Sequence, residues 1–400
     1  MPEFLSVQKG QIVQQGQPVR LQGVNLGGWL MMEGYILHSP NRAEHLFKRA
    51  FAGQLGSDIL AEFEHAYRSH FIQSDDFATI AEWGMNCVRL PFNCRLVELP
   101  SGEKNPDGLH YLDMAIRWAK KAGIRVILDL HAAWGAQNHD WHSDSDGSAQ
   151  LWSNPEYQRR TVALWEFLAD RYRYEPAVAG YDLLNEAVVE DAQKLNAFYR
   201  DVIKAIRRCD HRHIIFVEGN RWATDLACLD PIEDPNFAFS IHYYEPLEFT
   251  FNFVPSLRYP LSGAGGVFDV TALHNRMAVY AKLAQKYQVP VLAGEFGVHY
   301  RDGYYGEDRW LADLLQVWRE YGFHWTYWTY KAVKNSIFPD GVMSYYDNPP
   351  WVNRQGASLG WETYSQLWPQ RKMDMISSWE SPAFRPNEKI LAVLKDAVRL

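Results

Sequence analysis

Cysteine is scarce in this chain, with four in 400 residues: Cys87, Cys94, Cys209 and Cys228. No Cys-x-x-Cys pair occurs, which fits buried thiols in a reducing compartment better than a disulfide framework. A long hydrophobic run is also missing, so no membrane span is expected. The N-terminus, "MPEFLSVQKGQ", lacks the basic and apolar regions of a secretory leader. A cytoplasmic location is therefore expected for the sequence as written, or secretion if a leader has been removed. Positive charge is in short supply: 40 Lys and Arg stand against 48 Asp and Glu, a formal net charge of −8. That argues against a nucleic-acid partner, whose phosphates demand a basic face. Internal repeats, linkers and low-complexity blocks are not seen.

What is plentiful is apolar and aromatic. Hydrophobic residues make up 47% and charged residues 22%, enough for a large core and too little charge for wholesale disorder. Sixteen Trp, 22 Tyr and 20 Phe imply either a large aromatic core or flat platforms for stacking ligands.

Eight strand-like runs follow one another: "VRLQGVN", "NCVRLPF", "RVILDLH", "GYDLLNE", "HIIFVEGN", "FSIHYY", "PVLAGEFG" and "HWTYWTY". Amphipathic helical patterns lie between most of them, such as Leu112, Ala115, Ile116 and Ala119, or Leu195, Phe198, Val202, Ala205 and Ile206. Asn154 reads as a helix N-cap with Pro155 at the first helical position. Parallel strands need crossovers, so eight such units predict an α/β fold, a (β/α)8 TIM barrel in one domain. An open doubly wound sheet is the runner-up, but "GVNLGGW" lacks the spacing of a dinucleotide-binding turn. The expected layout is an N-terminal hairpin over 1–18, a barrel core over 19–335, a long loop region over 336–386 and a C-terminal helix over 387–400. Segments 31–73, 132–153, 244–270 and 332–386 are read as rim loops or loop-borne helices.

In such a barrel the active site lies where the strands end. Arg89 stands near the end of the second run, His131 at the third, Asn185-Glu186 at the fourth, and His242 with Tyr244 at the sixth. Glu295 ends the seventh run, and Trp325 and Trp328 lie on the eighth. Glu186 and Glu295 therefore face each other across the barrel mouth. Two carboxylates across a cleft suit glycoside hydrolysis, one protonating the leaving oxygen while the other attacks or activates water.

"RLPF", "DLH", "NE", "HYY", "GEFG" and "WTYWTYK" together resemble glycoside hydrolase family 5. "GVNLGGWLMMEGYI" and "DLHAAWGAQNHDW" are similar to its branch of exo-β-1,3-glucanases and β-glucosidases. The resemblance covers roughly residues 20–335. It implies a retaining enzyme without a cofactor or metal, with Glu186 as acid/base and Glu295 as nucleophile. Its substrate would be a carbohydrate, a β-glucoside or β-1,3-type oligosaccharide. Cellulase-like endo action and a hydrophobic aglycone are the alternatives, and the oligomeric state stays open. The resemblance further implies Arg89 and Tyr244 beside Glu295, His242 beside Glu186, Asn185 at the sugar 2-hydroxyl, His131 at another hydroxyl, and Trp328 as the platform beneath the sugar. Trp325, three positions earlier, should face the other way. Glu33 is a candidate ligand of the terminal sugar, and Gln137 and Asn138 lie in the third-strand loop, where "AAW" replaces the branch's Gly-Ala-Pro. Glu245 and Lys331 are weaker candidates.

Two readings compete. "NHDWHSDSDG" is dense in possible cation ligands, yet His142 and Ser153 occupy the first and twelfth places of what would be a calcium loop. A metal-dependent barrel hydrolase using His131, His242 and Asp140 would lack its usual first-strand His-x-His, and no zinc-binding spacing is present. A carbohydrate-binding protein without catalysis would have little reason to keep both glutamates.

Overall fold

The computed structural model describes residues 3–37, 39–263, 266–344 and 361–399. Eight parallel strands close into a barrel: β1 Gln22–Asn25, β2 Cys87–Asn93, β3 Arg125–Ala132, β4 Val178–Asp182, β5 Ile214–Glu218, β6 Phe237–His242, β7 Val291–Glu295 and β8 His324–Tyr327. Each lies within or overlaps one of the eight runs, and β8 pairs with both β7 and β1, so the sheet has no open edge. This excludes the doubly wound alternative. Strand residues are buried almost throughout, as expected of strands covered on one side by helices and filled on the other.

Helices α1 Ser74–Glu82, α2 Pro106–Ala122, α3 Pro155–Tyr172, α4 Ala192–Arg207, α5 Val270–Tyr287 and α6 Glu307–Tyr321 supply crossovers. Their apolar stripes face the barrel: Leu112, Ala115, Ile116 and Ala119 of α2 are all buried. Asn154 caps α3 through the Glu156 N–H, with Pro155 at its first turn. The fifth unit departs from the pattern. Between β5 and β6 only single helical turns, Asn220–Ala223 and Leu226–Cys228, are found. Helix α8 Glu388–Arg399 follows a last long helix, α7 Trp361–Trp379.

The structure fills in the layout at both ends of the chain. The N-terminal hairpin gains a third short strand, giving an antiparallel sheet of Ser6–Gln8, Gln11–Gln14 and Gln17–Pro18. The long loop expected over 336–386 carries α7, whose Trp368 and Trp379 pack on Phe63; residues 345–360 of that segment lie outside the described residues. The N-terminal sheet seals the bottom of the barrel, where Leu5 and Ile12 cluster with Leu21, Cys87, Ile127, Ile214 and Leu292. That leaves the opposite end, at the strand C-termini, as the open one.

One register detail positions chemistry. Between β6 and β7 the pairing slips between Ala293 and Glu295, which sets Glu295 opposite His242. A one-residue shift of this kind re-aims a side chain at the rim of a barrel, as bulges do.

Candidate active site

Arg89 is fully buried and organises the floor. Its Nη1 donates to Glu295 Oε1 at 2.8 Å, its Nε to Asp182 Oδ2 at 2.8 Å, and its Nη2 to Glu218 Oε1 at 3.0 Å and Asn185 Oδ1 at 2.9 Å. Asp129 Oδ2 lies 3.1 Å from Nη1. One guanidinium thus faces four carboxyl groups. Burial, then Glu218, pushes the Asp182 carboxyl well above its usual range, while Arg89 pulls the other way.

Glu295 receives a second hydrogen bond, from Tyr244 Oη to Oε2 at 2.9 Å. Burial raises its carboxyl, with Glu186 adding to the rise, while His242 and Arg89 pull the other way and only partly offset it.

Glu186 sits just past β4 in a left-handed backbone conformation, φ 48°. That conformation costs a non-glycine residue about 1–3 kcal/mol and persists only where its surroundings hold it. Here both backbone polar groups are clamped by side chains: the N–H donates to Glu218 Oε2 at 2.6 Å, and the carbonyl accepts from Asn138 Nδ2 at 2.9 Å. The carboxylate lies between two imidazoles. His242 Nδ1 is 2.7 Å from Oε1 and His142 Nε2 is 2.9 Å from Oε2. Burial alone would raise the Glu186 carboxyl, but the bonds to His142 and His242 outweigh it and hold the carboxylate well below its usual range. The rings move in the opposite sense, both raised against burial by their carboxylates. Two imidazoles thus stand one hydrogen bond away from Glu186.

Carboxylate oxygens of Glu186 and Glu295 and a ring nitrogen of His242 all lie within 4.8 Å of one another. The two glutamates, 109 positions apart by their numbers, meet at one place. They open into a cavity of about 590 Å³, also lined by Glu33, Tyr35, His131, Trp328 and Tyr244.

His131 stacks on Trp328 with ring centroids 5.4 Å apart and planes 7° from parallel. Burial opposes its charge, yet Asp129, 2.8 Å from Nδ1, pushes it up to about 10. Glu33 Oε1 is buried without a hydrogen-bond partner among the described residues, 3.5 Å from His131 Nε2. Asn185 lies behind the cavity wall; its Nδ2 is likewise buried and unpaired. Gln137 and Asn138 are fully buried and hold loops. Gln137 Nε2 donates to the His131 and Asn185 carbonyls at 2.7 and 2.8 Å. Trp325 lies outside the cavity lining, as its spacing from Trp328 implied. Glu245 lines the outer cavity, 3.6 Å from Arg276.

Lys331 is corrected. Its Nζ points away from the cavity into a buried site, donating to the Phe71 and Trp379 carbonyls and to Ser381 Oγ. In the polar loop Asp144 accepts from His45, Asn93 and Arg95, and Asp140 Oδ2 accepts from Trp222 Nε1 at 2.8 Å. Among the described residues, the group with metal-ligand spacing is Glu186, His242 and Glu295; His131 and Asp140 do not join it.

Sequence reasoning missed Glu218, His142, Tyr35 and Trp222. Glu218 ends β5 as the other polar residues end theirs, so its signal was present. His142 was visible as part of the histidine- and aspartate-rich loop. Trp222 is presented by Arg221, Trp222 and Ala223, three successive residues with φ of 54°, 55° and 59°, for which the sequence has no glycine cue.

The profile of the family described as Cellulase (glycosyl hydrolase family 5) matches residues 54–334. A "Beta-xylosidase" of Phanerodontia chrysosporium is 33% identical over 82% of this chain and 71% of its own length. "Endoglucanase C" of Acetivibrio thermocellus is 27% identical over 79% of this chain and 92% of its own. "Glucan 1,3-beta-glucosidase 1" of Schizosaccharomyces pombe is 29% identical over 57% of this chain and 60% of its own. The chain belongs to glycosyl hydrolase family 5.

Proposed function

We propose that this chain is a retaining β-glycoside hydrolase that removes glucosyl units from the ends of β-glucosides or β-1,3-type oligosaccharides. The observation that carries this reading is the approach of Glu186 and Glu295 oxygens to within 4.8 Å. Retaining enzymes hold their carboxyl groups about 5–5.5 Å apart, whereas inverting ones leave roughly 6.5–9.5 Å for a water.

Glu295 is the nucleophile. Arg89 and Tyr244 fix its two oxygens, so the carboxylate is oriented before the sugar arrives. It attacks the anomeric carbon while the bond from that carbon to the leaving oxygen breaks. Glu186 protonates the leaving oxygen, drawing on the protons held by His142 and His242. Water then attacks the glycosyl ester with Glu186 as base, its proton returns to the same set, and Glu295 is released. Glu33 Oε1, in the cavity lining and without a hydrogen-bond partner among the described residues, suits a sugar hydroxyl, and Trp328 supplies the flat face.

The wall at the Glu33 end supports exo action. The segment bearing Glu33 and Tyr35 is pinned by the Val333 N–H to the Ile36 carbonyl at 2.8 Å and by Asn335 Nδ2 to the Tyr35 carbonyl at 2.9 Å. Trp328 Nε1 donates to Tyr35 Oη. A wall fixed from behind admits a chain terminus. NMR of the first product from an aryl β-glucoside tests the chemistry: β-glucose should form first, and early α-glucose would refute retention. On a β-1,3-glucan, glucose alone should accumulate early; mixed oligomers would instead favour endo action.

A further inference from the structure

The outer half of the cavity, nearer the surface than the buried Glu33, His131 and Trp328, has a different character. Trp141, Phe338 and Phe251 form one wall, with Trp141–Phe338 centroids 6.3 Å apart and Phe251–Phe338 centroids 5.4 Å apart. Trp222 and Leu247 also line it. The apolar surface continues outward: Trp222 is 45% exposed, Leu247 44% and Phe253 50%. Polar atoms here are mostly engaged within the protein. Trp222 Nε1 is held by Asp140, Tyr280 Oη donates to the Thr224 carbonyl at 2.9 Å, and Glu245 faces Arg276; the exceptions are Arg221, at the rim, and the buried Tyr243 Oη, which has no hydrogen-bond partner among the described residues.

Trp222 is held there at a cost. Its backbone belongs to the left-handed turn, fastened by the Trp222 N–H to the Ala187 carbonyl at 3.3 Å and by Asn220 Oδ1 and Nδ2 to the Val189 backbone at 3.0 and 2.8 Å. Ala187 directly follows Glu186, so the platform is tied to the strand end that carries the acid/base. An exposed indole tethered at its one polar atom and presented by strained backbone is a built surface. A second sugar in this half could stack on these faces but would find few free groups for its hydroxyls, and unpaired polar groups oppose such binding.

We propose that this half is a subsite for a hydrophobic, ring-bearing aglycone. The preferred substrates are then β-glucosides of aromatic or fused-ring alcohols, with Trp222 and Phe338 flanking the leaving group. The inference rests on the glycosidase reading above and narrows its substrate class. The step is the same hydrolysis: the anomeric carbon–oxygen bond breaks, Glu186 delivers the proton, and the aglycone departs as its alcohol.

The test compares kcat/KM for 2-naphthylmethyl β-glucoside, methyl β-glucoside and laminaribiose. All three release alkyl alcohols, so leaving-group acidity does not dominate. The naphthylmethyl compound should exceed both others at least tenfold. Trp222→Ala should collapse the naphthylmethyl-to-methyl ratio several-fold, and Trp222→Phe should restore most of it. Preference for laminaribiose, or an unchanged ratio in Trp222→Ala, would overturn the aglycone subsite while leaving the glycosidase reading intact. If no β-glucoside is cleaved at all, the glycosidase reading fails and the subsite with it.

Discussion

Replacing Arg89 with Met removes the cation at the centre of the floor. The guanidinium is completely buried, and its partners Asp129, Asp182 and Glu218 are as well; Glu295 is nearly so. Removing one member of a buried ion pair costs about 3–5 kcal/mol, because the remaining charge is left without a partner. The unfolding entropy is about 2.1 cal/mol/K per residue, hence roughly 0.84 kcal/mol/K for a 400-residue chain. The melting temperature should therefore fall by about 4–6 °C. The same change takes a donor from Glu295 Oε1 and from Asn185. Losing a preorganised donor of this kind lowers the rate on the order of a hundredfold or more. Differential scanning calorimetry and kcat/KM on an aryl β-glucoside measure the two effects together. The Glu295 carboxyl, already raised by burial, should rise further, so the acidic limb of kcat/KM should move to higher pH. A variant that melts like the parent and keeps its rate would refute the electrostatic role given to Arg89.

Three further outcomes follow from other parts of the molecule. In the parent protein, burial raises Glu295, so activity that needs its carboxylate should be lost, as pH falls, above the ordinary glutamate range; a limb at or below that range would contradict this. His142→Phe removes one of the two imidazoles proposed to supply protons to Glu186, so the alkaline limb of kcat/KM should move to lower pH, and a limb that stays or rises would exclude His142 from proton supply. Lys331→Met removes three hydrogen bonds to groups outside the cavity lining; at roughly 0.5–1.5 kcal/mol each, plus the carbonyls left unpaired, denaturant melts should show a loss of several kcal/mol while kcat/KM stays within about twofold.

The barrel was legible because each of its strands is a short apolar run bounded by helical periodicity, and that pattern survives without knowledge of tertiary contacts. The two glutamates were legible because each ends such a run, so topology alone sets them at one rim. The fifth unit was less readable: "HIIFVEGN" has the strand signal, but no full crossover helix precedes β6, and Glu218 looked like an ordinary residue after a strand. Its roles toward Arg89 and the Glu186 N–H exist only once three strand ends converge. His142 reaches Glu186 because Gln137 and Asn138 fold the third-strand loop back onto β4, a set of buried hydrogen bonds that leaves no period in the sequence. The same histidines and aspartates read linearly as a possible cation loop, since composition shows ligand types and not their partners. Lys331 follows "WTYWTY", and its direction depended on the turn after β8, which propensity does not fix.

A covalent bond between Glu295 and the anomeric carbon can be trapped directly. The protein is incubated with an activated 2-deoxy-2-fluoro-β-glucoside, whose glycosyl-enzyme forms faster than it hydrolyses, and the digest is mapped by mass spectrometry. The account predicts a single fluoroglucosyl ester on Glu295. An ester on Glu186, or rapid turnover to an inverted product with no ester formed, would contradict it.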